Sequence, residues 1–232
     1  DFTGDTEYLR NVVFEFMRGV MRVFQTMIVP DENGRLALPL SISPEYRGAD
    51  MDAWGRNSSF QLAAIHRLAL NLQRSAKLLF LPEAPFWKKV SEKLPQASIY
   101  TKNGKSEIGL WDGLTLEESH RHHSHLGGIC PFSTIDPDDE SWKEIIANSR
   151  TRWTSLGMGE WTGWCLPWAS MLHTRFGNGD MAELILEICR QNLARYKLPA
   201  EIYFTDHIPR STVGKVLRRI LLEDYYTKKQ LS

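Results

Sequence analysis

Ser119-His120-Arg121-His122-His123-Ser124-His125-Leu126 sets four imidazoles and one guanidinium inside six consecutive positions. Such a run supplies many hydrogen-bond donors directed at one polar ligand. Two plainer readings stand beside it. The histidines can be core residues satisfied by backbone groups, or His122 and His123 with His120 or His125 can offer metal ligands. No Cys, Asp or Glu nearby completes a metal spacing, so no metal is assigned.

Outward from this run, carboxylates occur in two other polar stretches. Upstream, Ser41-Ile42-Ser43-Pro44-Glu45-Tyr46 lies in an irregular segment from Leu40 to Gly55. This segment is too long for a simple connector, and loops of that length are often functional. Glu45 reads either as a rim carboxylate held behind Pro44 or as a solvated loop residue. Downstream come Gly159-Glu160-Trp161-Thr162-Gly163-Trp164 and Leu166-Pro167-Trp168. Glu160 precedes a helix start, with Thr162 as the expected N-cap, and the helix dipole favours an ionised carboxylate there. The indoles can form a sugar platform or pack a core.

The rest of the chain is punctuated for helices. Leu9, Val12, Val13, Phe16, Met17, Val20, Met21, Phe24 and Met27 recur at three-four spacing, which predicts one buried face on a helix capped by Asp5 and stopped at Pro30. A second helix is expected over Ser59–Leu79, with Phe60, Leu62, Ile65, Leu68 and Leu72 inward, and a short one from Pro85 to before Pro95. Asn103-Gly104 between apolar stretches predicts a two-residue hairpin. Helices follow near Ser141–Leu156, Thr162–Phe176 and Asp180–Leu193, the last two separated by Gly177-Asn178-Gly179.

Composition narrows the partners. Lys plus Arg and Asp plus Glu both number 28, which gives no reason to expect nucleic acid or an anionic membrane. No apolar run reaches transmembrane length, and Asp1-Phe2-Thr3-Gly4-Asp5 does not read as a signal peptide, so the compartment stays open. Cys130, Cys165 and Cys189 form neither a disulfide framework nor a zinc pattern.

Ser43-Pro44-Glu45, His120-Arg121-His122-His123-Ser124-His125-Leu126 and Thr162-Gly163-Trp164 stand in the order and at the separation of the family-95 glycoside hydrolases, the α-L-fucosidases. Pro131-Phe132, Trp168 and Arg175 agree too. The chain resembles that family over about residues 5–185. The resemblance implies a mainly α fold, here a partial α/α-toroid amounting to half of a six-hairpin helical barrel. It implies inverting hydrolysis of α-L-fucosides on a carbohydrate substrate, without a cofactor. Inversion needs two carboxyl groups roughly 6.5–9.5 Å apart, one protonated and one facing a water. By resemblance Glu45 is the general acid, with its pKa raised by burial or a neighbouring negative charge. Glu160 lies nearest the base position, where the family usually has aspartate, and His120, His122, His123, His125, Trp164 and Trp168 bind the sugar. The family's upstream Asn pair and about half its helices have no counterpart in the chain. Little activity is therefore expected from the chain alone, unless another chain supplies the helices.

From about Cys189 the pattern changes. Ala200–Thr205 reads as a strand, Ile208–Gly214 as a loop and Val216–Tyr226 as a basic helix. Cys189-Arg190-Gln191-Asn192-Leu193-Ala194-Arg195-Tyr196-Lys197-Leu198-Pro199 and Pro209-Arg210-Ser211-Thr212-Val213-Gly214-Lys215 resemble the C-terminal subdomain of acyl-CoA synthetases and related adenylate-forming enzymes. That resemblance implies a small α/β tail, with Lys215 as a catalytic lysine and ATP and CoA as ligands. No Gly-rich phosphate loop stands upstream. The expected division is 1–186 glycosidase-like and 187–232 ligase-like, an apparent chimera. A non-catalytic binding or structural module is the third reading.

Overall fold

The computed structural model describes residues 4–48, 50–192 and 220–223. The chain divides into two compact units, Asp1–Gln191 and Asn192–Ser232. In the second, Ile220–Glu223 is helical, inside the basic helix expected there. The expected strand, the loop and Lys215 lie outside the described residues.

The first unit is mainly helical. Helix α1 runs through Thr6–Tyr8, a π-type segment Leu9–Phe14, and Glu15–Met27. Asp5 caps it by accepting the Tyr8 N–H at 2.8 Å, which satisfies one of the donors a helix start leaves open. Strands β1 (Val29–Pro30) and β2 (Leu36–Ala37) pair antiparallel behind it. Helix α2 spans Ser59–Leu78 and α3 spans Pro85–Lys93, with Pro85 in the first turn. Strands β3 (Ile99–Lys102) and β4 (Lys105–Ile108) form the expected hairpin. Asn103 and Gly104 both take positive φ, 52° and 75°, as its tight turn requires. Helices α4 (Glu140–Ser155), α5 (Cys165–Arg175) and α6 (Gly179–Asn192) complete the unit. Among the described residues no helix is long and apolar enough to cross a membrane.

Two cores result. Phe14, Met21, Leu38, Leu62, Ile65, Leu72, Trp87 and Val90 join α1, α2 and α3. Ile108, Leu110, Trp111, Leu126, Ile129, Trp153, Leu172 and Ile185 join the β3–β4 hairpin, the histidine segment and α4, α5 and α6.

Two sequence expectations change. The single inward face drawn for α1 is in fact two stripes. Phe14 and Met21 are buried, whereas Val12, Phe16 and Met27 are exposed by 49%, 72% and 37%. A π-type segment closes its bonds one residue later than an α-helix, so the face advances by a position across it. Helix α5 starts at Cys165 rather than Thr162. The Thr162 carbonyl accepts the Cys165 N–H at 2.9 Å, so Thr162 stands in a turn ahead of the helix.

Candidate active site

The Glu45 loop is closed at its neck and fastened to the histidine run. Ser41 and Gly55 exchange backbone hydrogen bonds, both 2.8 Å. The Ser41 hydroxyl donates to the Gly55 carbonyl at 2.7 Å and accepts the Ser58 N–H at 2.7 Å. Gly55 is required sterically, because a Cβ there would stand 2.0 Å from the Trp111 indole. Ser43 and Ser124 share a hydroxyl hydrogen bond of 2.6 Å in the buried interior. Tyr46 is buried, its hydroxyl accepting the Glu117 N–H at 3.1 Å and its ring edge-on to Trp111 and His120.

With Tyr46 turned inward, Glu45 projects outward from a left-handed backbone, φ 56°. Its Oε2 receives three donors. Arg121 Nε lies at 2.6 Å, His122 Nε2 at 2.9 Å, and Arg121 Nη2 also donates. The carboxylate is about half exposed. The hydrogen bond from His122, then that from Arg121, hold its pKa below the ordinary carboxylate range. This reverses the sequence expectation of a raised value. Burial is too slight to favour the neutral acid, and the adjacent charge is positive rather than negative.

His120 accepts the His122 N–H on Nδ1 at 3.1 Å, leaving Nε2 to face the Glu45 carbonyl at 3.4 Å. The His122 ring meets Trp164 edge-on at 4.8 Å, and Trp164 stacks on Trp168 at 5.6 Å with planes 23° apart. Trp164 is 48% exposed, so the stacked pair has an open face beside the carboxylate.

His123 and His125 stand elsewhere, in the interior. His123 sits among Trp153, Trp161 and Trp168, at ring distances of 5.1, 4.6 and 5.3 Å. Its Nδ1 accepts the Trp153 indole N–H at 3.1 Å, and its Nε2–H donates to the Cys165 carbonyl at 3.1 Å. Both partners suit the neutral ring, and burial lowers its pKa to about 4. Burial lowers His125 to about 3, and its Nδ1 has no partner among the described residues. Both rings match the core alternative left open above more closely than a sugar-lining role.

Glu160 is exposed at the far end of the run. Its N–H donates to the Ser119 hydroxyl at 3.2 Å, and Ser119 donates in turn to the Gly157 carbonyl at 2.9 Å. The structure therefore gathers Glu45, His120, Arg121, His122, Trp164 and Trp168 by direct contact, and ties Glu160 to the same segment through Ser119. Sequence reasoning missed the anchoring by Tyr46 and the Trp153 donor to His123. The former is signalled only by an aromatic residue directly after Ser-Pro-Glu. Among the described residues no three His, Cys, Asp or Glu side chains converge as a metal set. A cleft of about 670 Å³ lies apart from these residues, walled by Asp31, Arg35, Arg56, Asn57, Ser98 and Asp112.

A carboxylate gripped by guanidinium and imidazole beside stacked indoles, on a mainly helical scaffold, has the makings of a site for a polyhydroxylated ligand. Comparison makes the family definite: residues 1–209 match the glycosyl hydrolase family 95 catalytic domain, and the chain belongs to that family. A second likeness accompanies it. The chain is 49% identical over 98 residues to the long-chain-fatty-acid–CoA ligase FadD13 of Mycobacterium tuberculosis, covering 42% of this chain and 15% of that protein. It is 49% identical over 41 residues to a long-chain-fatty-acid–CoA ligase of Haemophilus influenzae, covering 18% and 7%. It is 45% identical over 56 residues to the 2-succinylbenzoate–CoA ligase of Geobacillus kaustophilus, covering 24% and 11%. The chain thus spans at most 15% of the length of these curated relatives. A chain composed from both families is consistent with these matches.

Proposed function

We propose that the first unit is a portion of an α/α-toroid glycoside hydrolase directed at α-L-fucosides, cleaving with inversion. The observation that carries this reading is the Glu45–His122 hydrogen bond of 2.9 Å beside the stacked Trp164–Trp168 pair, within a family-95 match over residues 1–209. Glu45 takes the general-acid position and Glu160 the base position. With Arg121 and His122 both donating to it, Glu45 rests ionised at neutral pH. The departing glycosidic oxygen then needs a proton passed through the Glu45–His122 pair. For this step a proton taken up from solvent by the pair moves from Glu45 Oε2 to that oxygen as its bond to the anomeric carbon breaks. Glu160 takes a proton from the water that attacks the opposite face, and Glu45 is left as the carboxylate that Arg121 and His122 hold. A site whose acid rests without its proton binds a sugar more readily than it cleaves one, so slow turnover is expected from the chain alone.

The test is hydrolysis of an aryl α-L-fucoside, with the product anomer read by NMR and L-fucose binding read by tryptophan fluorescence. Glu45→Gln and Glu160→Gln are each expected to lower turnover about 10²–10⁴-fold, and Trp164→Ala to weaken binding. Turnover unchanged in both carboxamide variants, or a chain that neither binds L-fucose nor cleaves the fucoside, overturns the reading.

The CoA-ligase matches favour a second reading for the C-terminal segment. There Lys215 brings a compact positive charge to carboxylate and phosphate oxygens during adenylate formation, with ATP and CoA as ligands. Acyl-dependent ATP–pyrophosphate exchange that Lys215→Ala abolishes would establish it, and its absence would reduce the segment to ancestry.

A further inference from the structure

We propose that a pocket between α4 and the end of α5 binds a doubly charged tetrahedral oxyanion, a phosphate or sulfate group, through Arg150 and Arg175. The pocket measures about 220 Å³. Lys143, Ile146, Ala147 and Arg150 line it from α4, at the i, i+3, i+4, i+7 spacing that shares one helix face. Arg175, in the last turn of α5, and Phe176 after it form another wall.

The state of the two arginines sets this pocket apart. Among the described residues Arg18, Arg47, Arg67, Arg150, Arg152 and Arg175 are the partly buried arginines. Arg18 pairs with Glu15, and Arg47 with Asp52 and Glu117. Arg67 donates to the Phe132 and Ser133 carbonyls, and Arg152 to the Leu116 carbonyl. The Arg150 and Arg175 side chains have no hydrogen-bond or ion-pair partner among the described residues, and both line the one pocket. The Arg175 Nε–H is buried and unmet. Removing a guanidinium from water without a partner is costly, and a bound anion relieves that cost for both residues together.

The charge balance names the ligand. Asp138 is the single carboxylate of the lining, and Lys143 is already paired with Glu140. The two guanidinium groups therefore leave positive charge in excess. Buried His173 registers it, its pKa lowered by burial and then by the Arg150 charge. The planar guanidinium fork matches phosphate and sulfate oxygens two at a time, and two forks balance a doubly charged group. Ile146 and Phe176 add a less polar wall, against which such contacts strengthen. The volume, that of about seven water molecules, suits one such group rather than an oligosaccharide.

The test is an NMR titration of the full chain with phosphate, sulfate and acetate at constant ionic strength, following the Ala147 and Gly177 amides that line the pocket. Phosphate and sulfate are expected to shift them saturably at millimolar concentration, and acetate to bind at least about tenfold more weakly. Arg150→Gln and Arg175→Gln should each weaken phosphate binding about tenfold or more. Ala147→Glu tethers a carboxylate one turn from Arg150 on the same face. It should abolish phosphate binding while circular dichroism shows the helices intact. Glucose 6-phosphate binding tighter than inorganic phosphate would support an ester as the ligand, and the reverse order a free ion. No saturable shift, acetate as tight as phosphate, or affinity unchanged in these three variants overturns the proposal. None of these residues belongs to the Glu45 site, so the outcome is independent of fucoside binding or turnover.

Discussion

Acid should loosen the first unit through His123, and the size of the effect can be worked from its surroundings. The ring is buried, its Nδ1 accepts the Trp153 indole N–H and its Nε2–H is held by the Cys165 carbonyl. A proton added at Nδ1 would confront the indole donor, so burial and geometry agree in placing the folded-state pKa at about 4. In the unfolded chain the same imidazole titrates near the ordinary 6.5. The unfolded state therefore binds the extra proton first, and stability falls as pH drops from about 6.5 toward 4. At pH 4.5 the loss from His123 alone is about 2–3 kcal/mol relative to neutral pH. His125, lowered by burial to about 3, adds a loss of the same sign. Urea unfolding at pH 7.5 and 4.5 measures it, followed by tryptophan fluorescence, because all eight indoles lie between Trp54 and Trp168. His123→Gln removes the titration, so the stability gap between wild type and variant should narrow by about 2–3 kcal/mol at the lower pH. A gap equal at both pH values, or an NMR titration of His123 near 6.5, would refute the reasoning.

Three other outcomes follow from local geometry. Gly55→Ala drives a Cβ into the Trp111 indole and should cost about 1–3 kcal/mol in urea unfolding, whereas a neutral effect would mean the loop neck is not packed as described. Arg121→Gln removes one of the two residues holding Glu45 ionised, so the Glu45 carboxyl should titrate at a higher pH by ¹³C NMR, and an unchanged midpoint would deny Arg121 that influence. Ser43→Ala breaks the buried hydroxyl bond to Ser124, with an expected loss of about 1 kcal/mol and a matching fall in protection of the Glu45 loop from hydrogen exchange.

Features that depend on four or five neighbouring residues were legible in the sequence. Asp5 caps α1, Pro85 opens α3, Asn103-Gly104 turns the hairpin, and Gly177, at φ 70°, follows the end of α5, because each signal acts within one turn of its own backbone. The boundary of α5 slipped for a local reason of the opposite kind. Thr162 is a good cap by type, but its carbonyl already closes a turn onto Cys165. The site residues were named one by one from motif and resemblance, yet their charge state was not readable. Glu45 meets Arg121 and His122 across sequence separations of 76 and 77 residues, and its pKa depends on which donors arrive. The histidine run illustrates the same limit. Adjacent His122 and His123 read alike in the sequence, but the backbone sends one to the carboxylate and the other into a cage of indoles.

That alternation is where fold and site become one argument. Glu45 and Arg47 both carry positive φ, 56° and 60°, a conformation that costs a side-chain-bearing residue roughly 1–2 kcal/mol. Between them Tyr46 is buried against Trp111 and His120 with its hydroxyl bonded, and burying an aromatic side chain of this size returns about 1.5–3 kcal/mol. Arg47 is also paired, with Asp52 and Glu117, and Glu45 with Arg121 and His122. The inward tyrosine thus holds a strained turn whose two neighbours must point outward, each into charge of the opposite sign. Displaying Glu45 therefore depends on the buried Tyr46 side chain next to it in sequence. The carboxylate is displayed by packing and ionised by its partners, and any chemistry at this site has to begin from that charged state.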